Sequence, residues 1–381
     1  MRGENMPGLK REFGLAVVGC GAIGRIRAEL ARDYPGIGWL GVCDIDAERG
    51  HKLQQDTGAD FFTTDFAELI ARPEVDATII ATTENDHTRP ILAAVEQGHS
   101  LFIEKPLATN ARESEQVLKA IERAKVDAVI GYTQRFRRRF LVVKERVSTG
   151  EIGDVTGVVT RAFMNGAAPI VTLSRAANHR ASLTPMVVSG THSLDISMWL
   201  MEGKRPVSVY ARSNDRVMSQ YGTKDSTFGI WTMDDGTMFS MNISWALPLV
   251  WPGAVYGLEI GIVGTEGAID IEDTHRDVIL ASSKSQKTPY PLPEGVDATR
   301  HVEFLTSFPP GDIQDGQLWG PMREETNSWF QRVYTGLNTP HASPQDGHRN
   351  LVMTMAMDLS AKLGKEIAFP VNLDELGEPE E

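Results

Sequence analysis

The sequence contains few cysteines, no long apolar run and no excess of positive charge. Two cysteines in 381 residues cannot form a disulfide framework and are typical of a reducing compartment. The sequence contains no run of about 18 apolar residues, the length that a membrane span requires. The first residues lack the apolar segment of a signal peptide. We therefore predict a cytoplasmic protein with no membrane contact, and we predict no bound metal.

The charge balance disfavours polyanionic partners. Acidic residues outnumber basic ones, 51 against 38, which gives a net charge of −13. Such a field repels nucleic acid and anionic lipid, so neither is an expected partner. The hydrophobic fraction of 41% and the charged fraction of 23% are those of an ordinary globular protein. The length allows two domains, each with its own core.

The first third of the chain alternates apolar strands with helical patterns. The predicted strands are 15–18, 39–43, 77–80, 100–103 and 128–132. Continuous apolar strands separated by helices predict a parallel, doubly wound sheet of the Rossmann type. We assign residues 12–132 to this α/β domain and expect it to bind a dinucleotide.

The pattern changes after residue 132. Alternating segments 228–233 and 238–243 are joined by Asp234, Asp235 and Gly236, which predicts a hairpin. Residues 264–267 mark another, and 325–363 is predicted to be helical at both ends with a turn near Thr339. We assign 133–372 to an α+β domain with a large, mostly antiparallel open sheet, which binds substrate and joins subunits.

A glycine-rich loop follows the first strand. Gly19, Gly21 and Gly24 match GxGxxG, with Ala22 and Ile23 between the last two glycines. Such glycines permit a tight turn, a close approach of the backbone to a pyrophosphate and close helix packing. The start of the following helix attracts the phosphate charge. Alone, the pattern is also compatible with a structural turn.

Asp44 makes the dinucleotide interpretation more specific. It ends the second strand, about 20 residues after the last glycine, where a carboxylate binds the adenosine ribose hydroxyls. A carboxylate there repels a 2′-phosphate, so we predict NAD rather than NADP. Arg25 and Arg49 are the counter-evidence, since either can reach such a phosphate.

Lys105 is the strongest candidate for the chemistry in the first domain. It follows the strand that ends at Glu104, and Pro106 follows it. Side chains at the carboxyl ends of parallel strands face the crevice where open α/β sheets bind ligands. A lysine there can donate a proton or a hydrogen bond to a substrate oxygen.

His192 is the second candidate. Thr184 and Pro185 predict the start of a helix that runs to about Gly203. Helical spacing places Val188, His192 and Asp195 on one face. A histidine, with an ordinary pKa of about 6.5, suits general-base catalysis, although a buried histidine is often a packing residue.

These motifs together resemble the GFO/IDH/MocA family of nicotinamide-dependent oxidoreductases. The resemblance rests on residues 81–87, 93–98 and 104–108 and on the Gly-x-His-x-x-Asp pattern at 190–195. It implies hydride transfer between a nicotinamide cofactor and a secondary alcohol or ketone of a sugar, sugar derivative or cyclitol. It also implies a homodimer or homotetramer formed through the C-terminal sheet.

The resemblance also implies roles for individual residues. Lys105 and His192 would be catalytic. The residues implied near the cofactor, besides the glycine loop and Asp44, are Thr82, Glu84, His87, Glu104 and Gln134. Those implied near the substrate, besides the two catalytic residues, are Arg135, Asn178, His179 and Asp195. His87 has a packing role as its alternative, and Asp195 can orient its helix instead.

This chain departs from the family pattern at two places. The inositol dehydrogenase subgroup has an aspartate four residues before the histidine, where this chain has Val188, so specificity of the inositol type is in doubt. Thr83 and Glu84 replace the family's proline and asparagine. Alternatives within the fold are a dihydrodiol dehydrogenase and a keto or imine reductase. An alternative of another class is a non-catalytic NAD-binding regulator, which would need neither Lys105 nor His192.

Overall fold

The protein forms two compact units in a computed structural model that describes residues 12–175, 183–272, 278–286, 292–306 and 308–376. The first unit comprises residues up to 136 together with 313–348. The second comprises 137–312 and 349 onwards.

The first unit is built on a six-stranded parallel sheet. Its strands are β1 (Phe13–Val18), β2 (Ile37–Cys43), β3 (Phe61–Thr63), β4 (Ala77–Ile80), β5 (Ser100–Glu104) and β6 (Ala128–Gly131). Their order is β3-β2-β1-β4-β5-β6, and every neighbouring pair is parallel. All residues of β1, β4 and β6 are buried, as expected for strands covered on both faces. The order reverses between β1 and β4, and such a reversal opens a ligand crevice at the carboxyl edge.

Helices alternate with the strands of this sheet and continue through the chain. They are α1 (Ala22–Arg32), α2 (Ala47–Thr57), α3 (Phe66–Ile70), α4 (Thr88–Gln97), α5 (Ala111–Ala124), α6 (Arg138–Ser148), α7 (Ala167–Arg175), α8 (Thr191–Leu200), α9 (Pro321–Thr335) and α10 (Pro344–Leu363). Short 3₁₀ turns lie at Glu84–Asp86, Thr133–Phe136, Met218–Tyr221 and Leu373–Leu376.

The second unit is built on a seven-stranded mixed sheet. Its strands are β7 (Val155–Asn165), β8 (Pro206–Asn214), β9 (Ser226–Met233), β10 (Met238–Leu247), β11 (Val255–Gly264), β12 (Ala268–Ile271) and β17 (Ile367–Ala368). Their order is β12-β11-β7-β10-β9-β8-β17. Pairing is antiparallel except between β7 and β10, which run parallel. The remaining strands form two small ribbons, β13 (Ile279–Gln286) with β14 (Arg300–Phe304), and β15 (Asp312–Gln314) with β16 (Gln317–Trp319).

The predicted fold class is confirmed. The hairpin around Gly236 joins β9 to β10, and residues 264–267 join β11 to β12 in antiparallel register. The short strand β3 and the helix α7 are among the elements that were not predicted. In addition, the helix expected from Thr184 begins as a π-helical turn at Met186–Gly190 before α8.

Candidate active site

The glycine loop between β1 and α1 has the geometry of a phosphate-binding loop. Gly19 has φ +100°, and a Cβ there would lie 2.3 Å from the carbonyl oxygen of Ala81. A Cβ at Gly24 would lie 1.8 Å from the carbonyl oxygen of Gly19, so the loop and the helix touch at that point. A Cβ at Gly21 meets no atom within 4 Å. The protein's own packing therefore requires the first and third glycines, whereas the second leaves space for a ligand.

The start of α1 adds an electrostatic reason for an anion to bind here. Gly21 is the N-cap residue and supplies no side-chain hydrogen bond to the first turn, which contains no acidic residue. The first N–H groups of a helix lack partners within the helix and carry its positive dipole end. Together with the space beside Gly21, this end of α1 fits the pyrophosphate of a dinucleotide.

Asp44 lies beside the loop, as predicted. Its Oδ2 accepts from the N–H of Cys20 at 2.7 Å, and its Oδ1 accepts from the N–H of Asp46 at 2.9 Å. Arg49 donates from Nε to Oδ2 at 2.9 Å and from Nη2 to Oδ1 at 2.6 Å. Burial alone would raise the pKa of Asp44, but the hydrogen bonds from Arg49 and the two N–H groups outweigh it and lower the pKa. Asp44 is therefore an ionised acceptor at the end of β2.

Arg49 is the basic group that bears on cofactor choice. Its guanidinium forms a two-pronged ion pair with Asp44, and its side chain is 48% exposed. An exposed guanidinium beside the Asp44 carboxylate would partly offset its repulsion of a 2′-phosphate. Arg25, the other candidate, instead pairs with Glu29 at 2.7 Å on the same helix.

The two cysteines lie at neighbouring strand ends and are buried. Burial, with Asp44 as a second cause, raises the pKa of the Cys20 thiol to about 12, and the same causes raise the pKa of Cys43 to about 12. Thiols are reactive as thiolates, so both are inert at neutral pH. Both cysteines are therefore reduced, buried packing residues.

The turn after β4 carries three predicted cofactor residues. The Oγ1 of Thr82 is buried and has no hydrogen-bond partner among the described residues, so it is available to a ligand. Glu84 begins the 3₁₀ turn and is half-buried. His87 is buried, with Nδ1 2.9 Å from the carbonyl oxygen of Pro106 and Nε2 3.3 Å from that of Thr82. Both ring nitrogens thus contact the backbone, which favours the packing alternative for His87.

Lys105 follows β5 directly, and the Lys105–Pro106 peptide bond is cis. The lysine is half-buried at the carboxyl edge of the parallel sheet. His87 fixes the next residue through the carbonyl of Pro106, so the turn after β4 and the loop after β5 hold each other. The structure therefore places Lys105 on a supported backbone at the carboxyl edge of the parallel sheet.

Glu104 makes a contact that the sequence did not predict. Its Oε1 accepts from Nε and Nη2 of Arg27, at 2.9 and 2.7 Å. The same Nη2 donates to Oε2 of Glu325 at 2.7 Å, and Nη1 donates to the hydroxyl of Thr326 at 2.5 Å. Arg27 and Glu325 are fully buried. The Glu104 carboxylate is therefore engaged by an internal ion network, here called the buried triad of Arg27, Glu104 and Glu325.

A signal for the buried triad exists in the sequence. Gly24, Arg27, Ala28 and Ala31 form the buried face of α1, so the arginine interrupts an otherwise small and apolar face. A charge on such a face requires a buried partner. The partner itself is not readable, because Glu325 lies 298 positions away along the chain.

The 3₁₀ turn after β6 carries the Gln134 and Arg135 pair. Gln134 is 6% exposed, and its Oε1 has no hydrogen-bond partner within the described part of the chain. Arg135 is also buried and forms an ion pair with Asp346 at 3.3 Å. A buried amide oxygen without a partner is costly, so Gln134 fits a role in binding a ligand.

In the second unit, His192 lies in the first turn of α8, immediately after the π-helical turn. The turn is capped by Thr184, whose hydroxyl accepts from the N–H of Val187 at 3.1 Å and donates to Asp358 at 2.5 Å. Ser189 accepts from the indole N–H of Trp245 at 2.9 Å. A π-turn inside a helix is frequent at functional sites. This local departure from α geometry changes which side chains share a face with His192.

Val188 and Asp195 are both buried in this unit. Val188 packs in an apolar cluster with Ile170, Leu173 and Trp245. Asp195 is fully buried, and its Oδ1 accepts from the side-chain amide of Asn350 at 2.9 Å. This contact supports the helix-orienting alternative for Asp195.

Two predicted substrate residues, Asn178 and His179, lie outside the described residues. Among the residues that the structure describes, there is no helix long and apolar enough to cross a membrane. The same residues contain no cluster of three or more metal-ligating side chains.

Comparisons with known proteins define the class of the molecule. Residues 13–132 match the oxidoreductase family with an NAD-binding Rossmann fold, GFO/IDH/MocA, and residues 140–270 match the C-terminal domain of the same family. The chain belongs to the GFO/IDH/MocA family. The predicted family, the cofactor NAD and the dehydrogenase class are thereby confirmed.

Individual relatives extend over most of the chain. A scyllo-inositol 2-dehydrogenase (NAD(+)) of Bacillus subtilis is 27% identical over 72% of this chain and 79% of its own length. A myo-inositol 2-dehydrogenase of Thermotoga maritima is 23% identical over 95% of this chain and 99% of its own. The crystal structure of GenD2 from gentamicin A biosynthesis, in complex with NAD, superposes with a TM-score of 0.77 at 19% identity. The match covers 97% of this chain and 100% of the other.

The glycine loop gives a paired test of packing against ligand binding. In Gly24→Ala the new Cβ overlaps the Gly19 carbonyl, and we expect a loss of about 2–4 kcal/mol in the free energy of unfolding. In Gly21→Ala the methyl group meets open space, so stability should stay within about 0.5 kcal/mol of wild type. NAD affinity of Gly21→Ala should nevertheless fall about tenfold or more, equivalent to about 1.4 kcal/mol. Chemical denaturation and fluorescence titration with NADH measure the two effects. Unchanged NADH binding by Gly21→Ala would show that the space beside Gly21 is not the dinucleotide site.

Proposed function

We propose that the protein is an NAD-dependent dehydrogenase that oxidises a secondary alcohol of a sugar, sugar derivative or cyclitol. The observation that carries the proposal is the glycine loop, with space at Gly21 and the ionised Asp44 beside it, in a chain of this oxidoreductase family. Curated relatives named as inositol dehydrogenases support a cyclitol or a compound of similar hydroxyl pattern. Because Val188 stands where the inositol dehydrogenase subgroup has an aspartate, activity on the inositols themselves has to be tested.

We further propose how the residues divide the work. The helix start at Gly21 and the Asp44 carboxylate bind the adenosine diphosphate half of NAD, while Thr82, Glu84 and Gln134 face its nicotinamide half. When bound, NAD accepts a hydride from the carbon that bears the substrate hydroxyl. Glu104 contributes indirectly, through the buried triad, and His87 contributes by packing.

Lys105 and His192 are proposed to act on the substrate hydroxyl. His192 takes the hydroxyl proton as the carbon is oxidised, and Lys105 donates a hydrogen bond to the same oxygen and stabilises its charge. Arg135, Asn178 and His179 are proposed to bind other substrate oxygens. Asp195 contributes by orienting α8 through Asn350. Because Val188 lies in an apolar cluster, a proton leaving His192 does not pass through that position.

The proposal is tested by a substrate panel followed by absorbance of the reduced cofactor. Purified protein is incubated with NAD or NADP and with scyllo-inositol, myo-inositol, aldoses, uronates and an aromatic dihydrodiol. Oxidation of a polyol with NAD supports the proposal, whereas oxidation of the dihydrodiol alone supports the alternative enzyme class. Tight NADH binding with no turnover on any member, in either direction, would support a regulator.

Cofactor choice depends on Asp44. We expect wild-type protein to bind NAD more tightly than NADP. Asp44→Ala should weaken NAD binding by about 1–2 kcal/mol, because hydrogen bonds to the ribose are lost. Arg49→Gln is the matched variant, because it leaves the carboxylate but removes the cation, and it should lower NADP affinity more than NAD affinity. Isothermal titration with both cofactors measures these affinities. Tighter binding of NADP by wild type would show that Arg49, not Asp44, decides.

The catalytic pair gives a kinetic prediction. Lys105→Ala and His192→Ala should each lower kcat by about 10²–10⁴, the usual scale for loss of an acid–base group. The double variant should fall little further than the worse single one, because the two groups act on one oxygen. NADH affinity should be retained in all three, since Gly21 and Asp44 bind the adenosine half. A His192→Ala enzyme with normal kcat and an unchanged pH profile would assign this histidine to packing.

We also propose that the protein is a homodimer or homotetramer formed through the sheet of the second unit. One row across that sheet runs Tyr210, Ile230, Ser240, Val159 in register. Three of the four are apolar and exposed, Val159 at 57%, Ile230 at 49% and Tyr210 at 43%. Exposed apolar residues in neighbouring register form a patch of the kind that marks an interface.

The cytoplasmic location stays a prediction of the sequence.

Charge placed on this face should dissociate the oligomer. The double variant Ile230→Asp with Val159→Asp should run as a monomer at concentrations where the wild type is assembled, because an unpaired carboxylate is costly to bury. Val142→Asp, on the exposed side of α6, is the control of equal chemistry. Light scattering after size exclusion measures the mass. An unchanged mass in the double variant would place the interface elsewhere.

A further inference from the structure

The buried triad connects segments that carry the proposed site residues of the first unit. Arg27 lies on α1, which begins at the glycine loop, and Glu104 is the last residue of β5. Glu325, on α9, also accepts from the hydroxyl of Thr133 at 2.8 Å, in the 3₁₀ turn after β6. Lys105 is covalently next to Glu104. The triad therefore connects the helix after the glycine loop, the strand end before Lys105 and the turn after β6.

The surroundings of Glu104 hold its carboxylate in one position. Arg27 binds it with two donors and also lies over the ring of Phe102, 4.0 Å from the centroid. On the neighbouring strand, a Cβ at Gly131 would lie 3.0 Å from Oε2 of Glu104, so a side chain there would press on the carboxylate. Buried ion networks contribute little net stability compared with apolar side chains of the same size. Such close support at the end of β5 is better explained by a need to position Lys105.

The buried triad has one cation for two carboxylates. Burial raises the pKa of Glu325 to about 7, although the Arg27 guanidinium opposes this, and the charge of Glu104 raises it further. Its Oε2 accepts from Arg27 and Thr133, whereas its Oε1 has no hydrogen-bond partner among the described residues. Protonation of Glu325 makes the triad neutral.

The other ionisable neighbours do not change charge in the same range. His341 lies with Nε2 3.1 Å from the carbonyl oxygen of Glu325. Burial lowers the pKa of His341 to about 3, so it stays neutral near pH 7. Arg135 and Arg332 lie within electrostatic range of His341 and stay cationic. Glu325 is thus the group of this cluster that titrates near neutrality.

We propose that Arg27 and Glu325 are positioning residues for Lys105, acting through Glu104, and that the proton on Glu325 sets the net charge behind this lysine. The inference rests on the proposed role of Lys105. When Glu325 is protonated the triad is neutral. When Glu325 is ionised the triad carries one negative charge, which favours the ammonium form of a nearby lysine.

A labelling experiment tests the placement without any substrate. Full-length wild type, Glu325→Gln and Arg27→Met are acetylated with trace acetic anhydride between about pH 6 and 9, and modification of Lys105 is measured by mass spectrometry against exposed Lys119. The reagent attacks the neutral amine. Above about pH 7 we expect Lys105 to react about threefold faster in Glu325→Gln than in wild type, because the ionised Glu325 of the wild type favours the ammonium form of the lysine. At about pH 6 the two should react equally, because Glu325 is then neutral in both.

The glutamine variant keeps the shape of Glu325 and guards against misfolding, which is a risk in Arg27→Met. In Arg27→Met, Lys105 labelling should change at every pH, because the Glu104 carboxylate is no longer fixed. Arg332→Met is the matched control, since it breaks the ion pair with Asp127 at 2.6 Å on the same helix as Glu325. It should leave Lys105 labelling unchanged. Identical Lys105 profiles in wild type and Glu325→Gln would overturn the proposal and leave the triad a packing feature.

Kinetics separate this inference from the proposed function. With NAD and the best substrate of the panel, Glu325→Gln should lower kcat several-fold and alter its pH profile near 7, while NADH affinity changes less than about twofold. If Lys105→Ala is fully active, the proposed role of the lysine fails. The labelling result would still decide whether the buried triad positions it.

Discussion

The first unit depends on the contacts of one fully buried guanidinium, that of Arg27. It binds two carboxylates from elements far apart in the chain, one at the end of β5 and one on α9. Removing one partner of such a network leaves an uncompensated charge in a medium that solvates it poorly. The backbone segments that Arg27 connects, α1, the end of β5 and α9, are consequently fixed relative to one another. The same segments carry the glycine loop, Lys105 and the turn with Gln134.

The site around the loop uses backbone contacts where the buried triad uses charge. The loop approaches Ala81, the residue after β4, so closely that Gly19 admits no side chain, and the Gly19 carbonyl excludes a side chain at Gly24. His87 then ties this turn to the loop after β5 through two carbonyls. Two polar groups at this edge have no hydrogen-bond partner within the described residues, namely the Thr82 hydroxyl and the Gln134 amide oxygen. An edge that is rigid in backbone and unsatisfied in polar atoms suits a bound dinucleotide.

Local sequence patterns predicted the features that short-range chemistry determines. The predicted strands of the first sheet end within one residue of the observed carboxyl ends, because apolar runs and turn residues mark these ends. The loop glycines and Asp44 were found for the same reason. The strand β3 escaped because three residues are too few to show a pattern. The parallel pairing of β7 with β10 is a tertiary choice that neither strand's composition reveals.

Contacts between residues that lie far apart along the chain were also not predicted from the sequence. Arg27 was noticeable as a charge on an apolar face, but its acceptors lie 77 and 298 positions away. Without them, Glu104 was interpreted as a cofactor residue on family resemblance. In the structure the Glu104 carboxylate accepts hydrogen bonds from Arg27, and the reason is electrostatic. A buried arginine requires a buried acceptor, and the Glu104 carboxylate at the end of β5 lies within hydrogen-bond distance of it.

The second unit shows how one substitution can be understood from its surroundings. Val188 occupies the position of a relay aspartate in the inositol dehydrogenase subgroup, yet its neighbours Leu173 and Trp245 are fully buried and apolar. A carboxylate in that cluster would lose its hydration and stay protonated near neutrality. The valine therefore suits the apolar cluster in which it packs. The π-helical turn Met186–Gly190 contains Val188 and precedes His192 in the first turn of α8. Thr184 caps this turn through the N–H of Val187, and Ser189 accepts from Trp245. The proton transfer proposed for His192 would then use a group or a water outside the Val188 cluster.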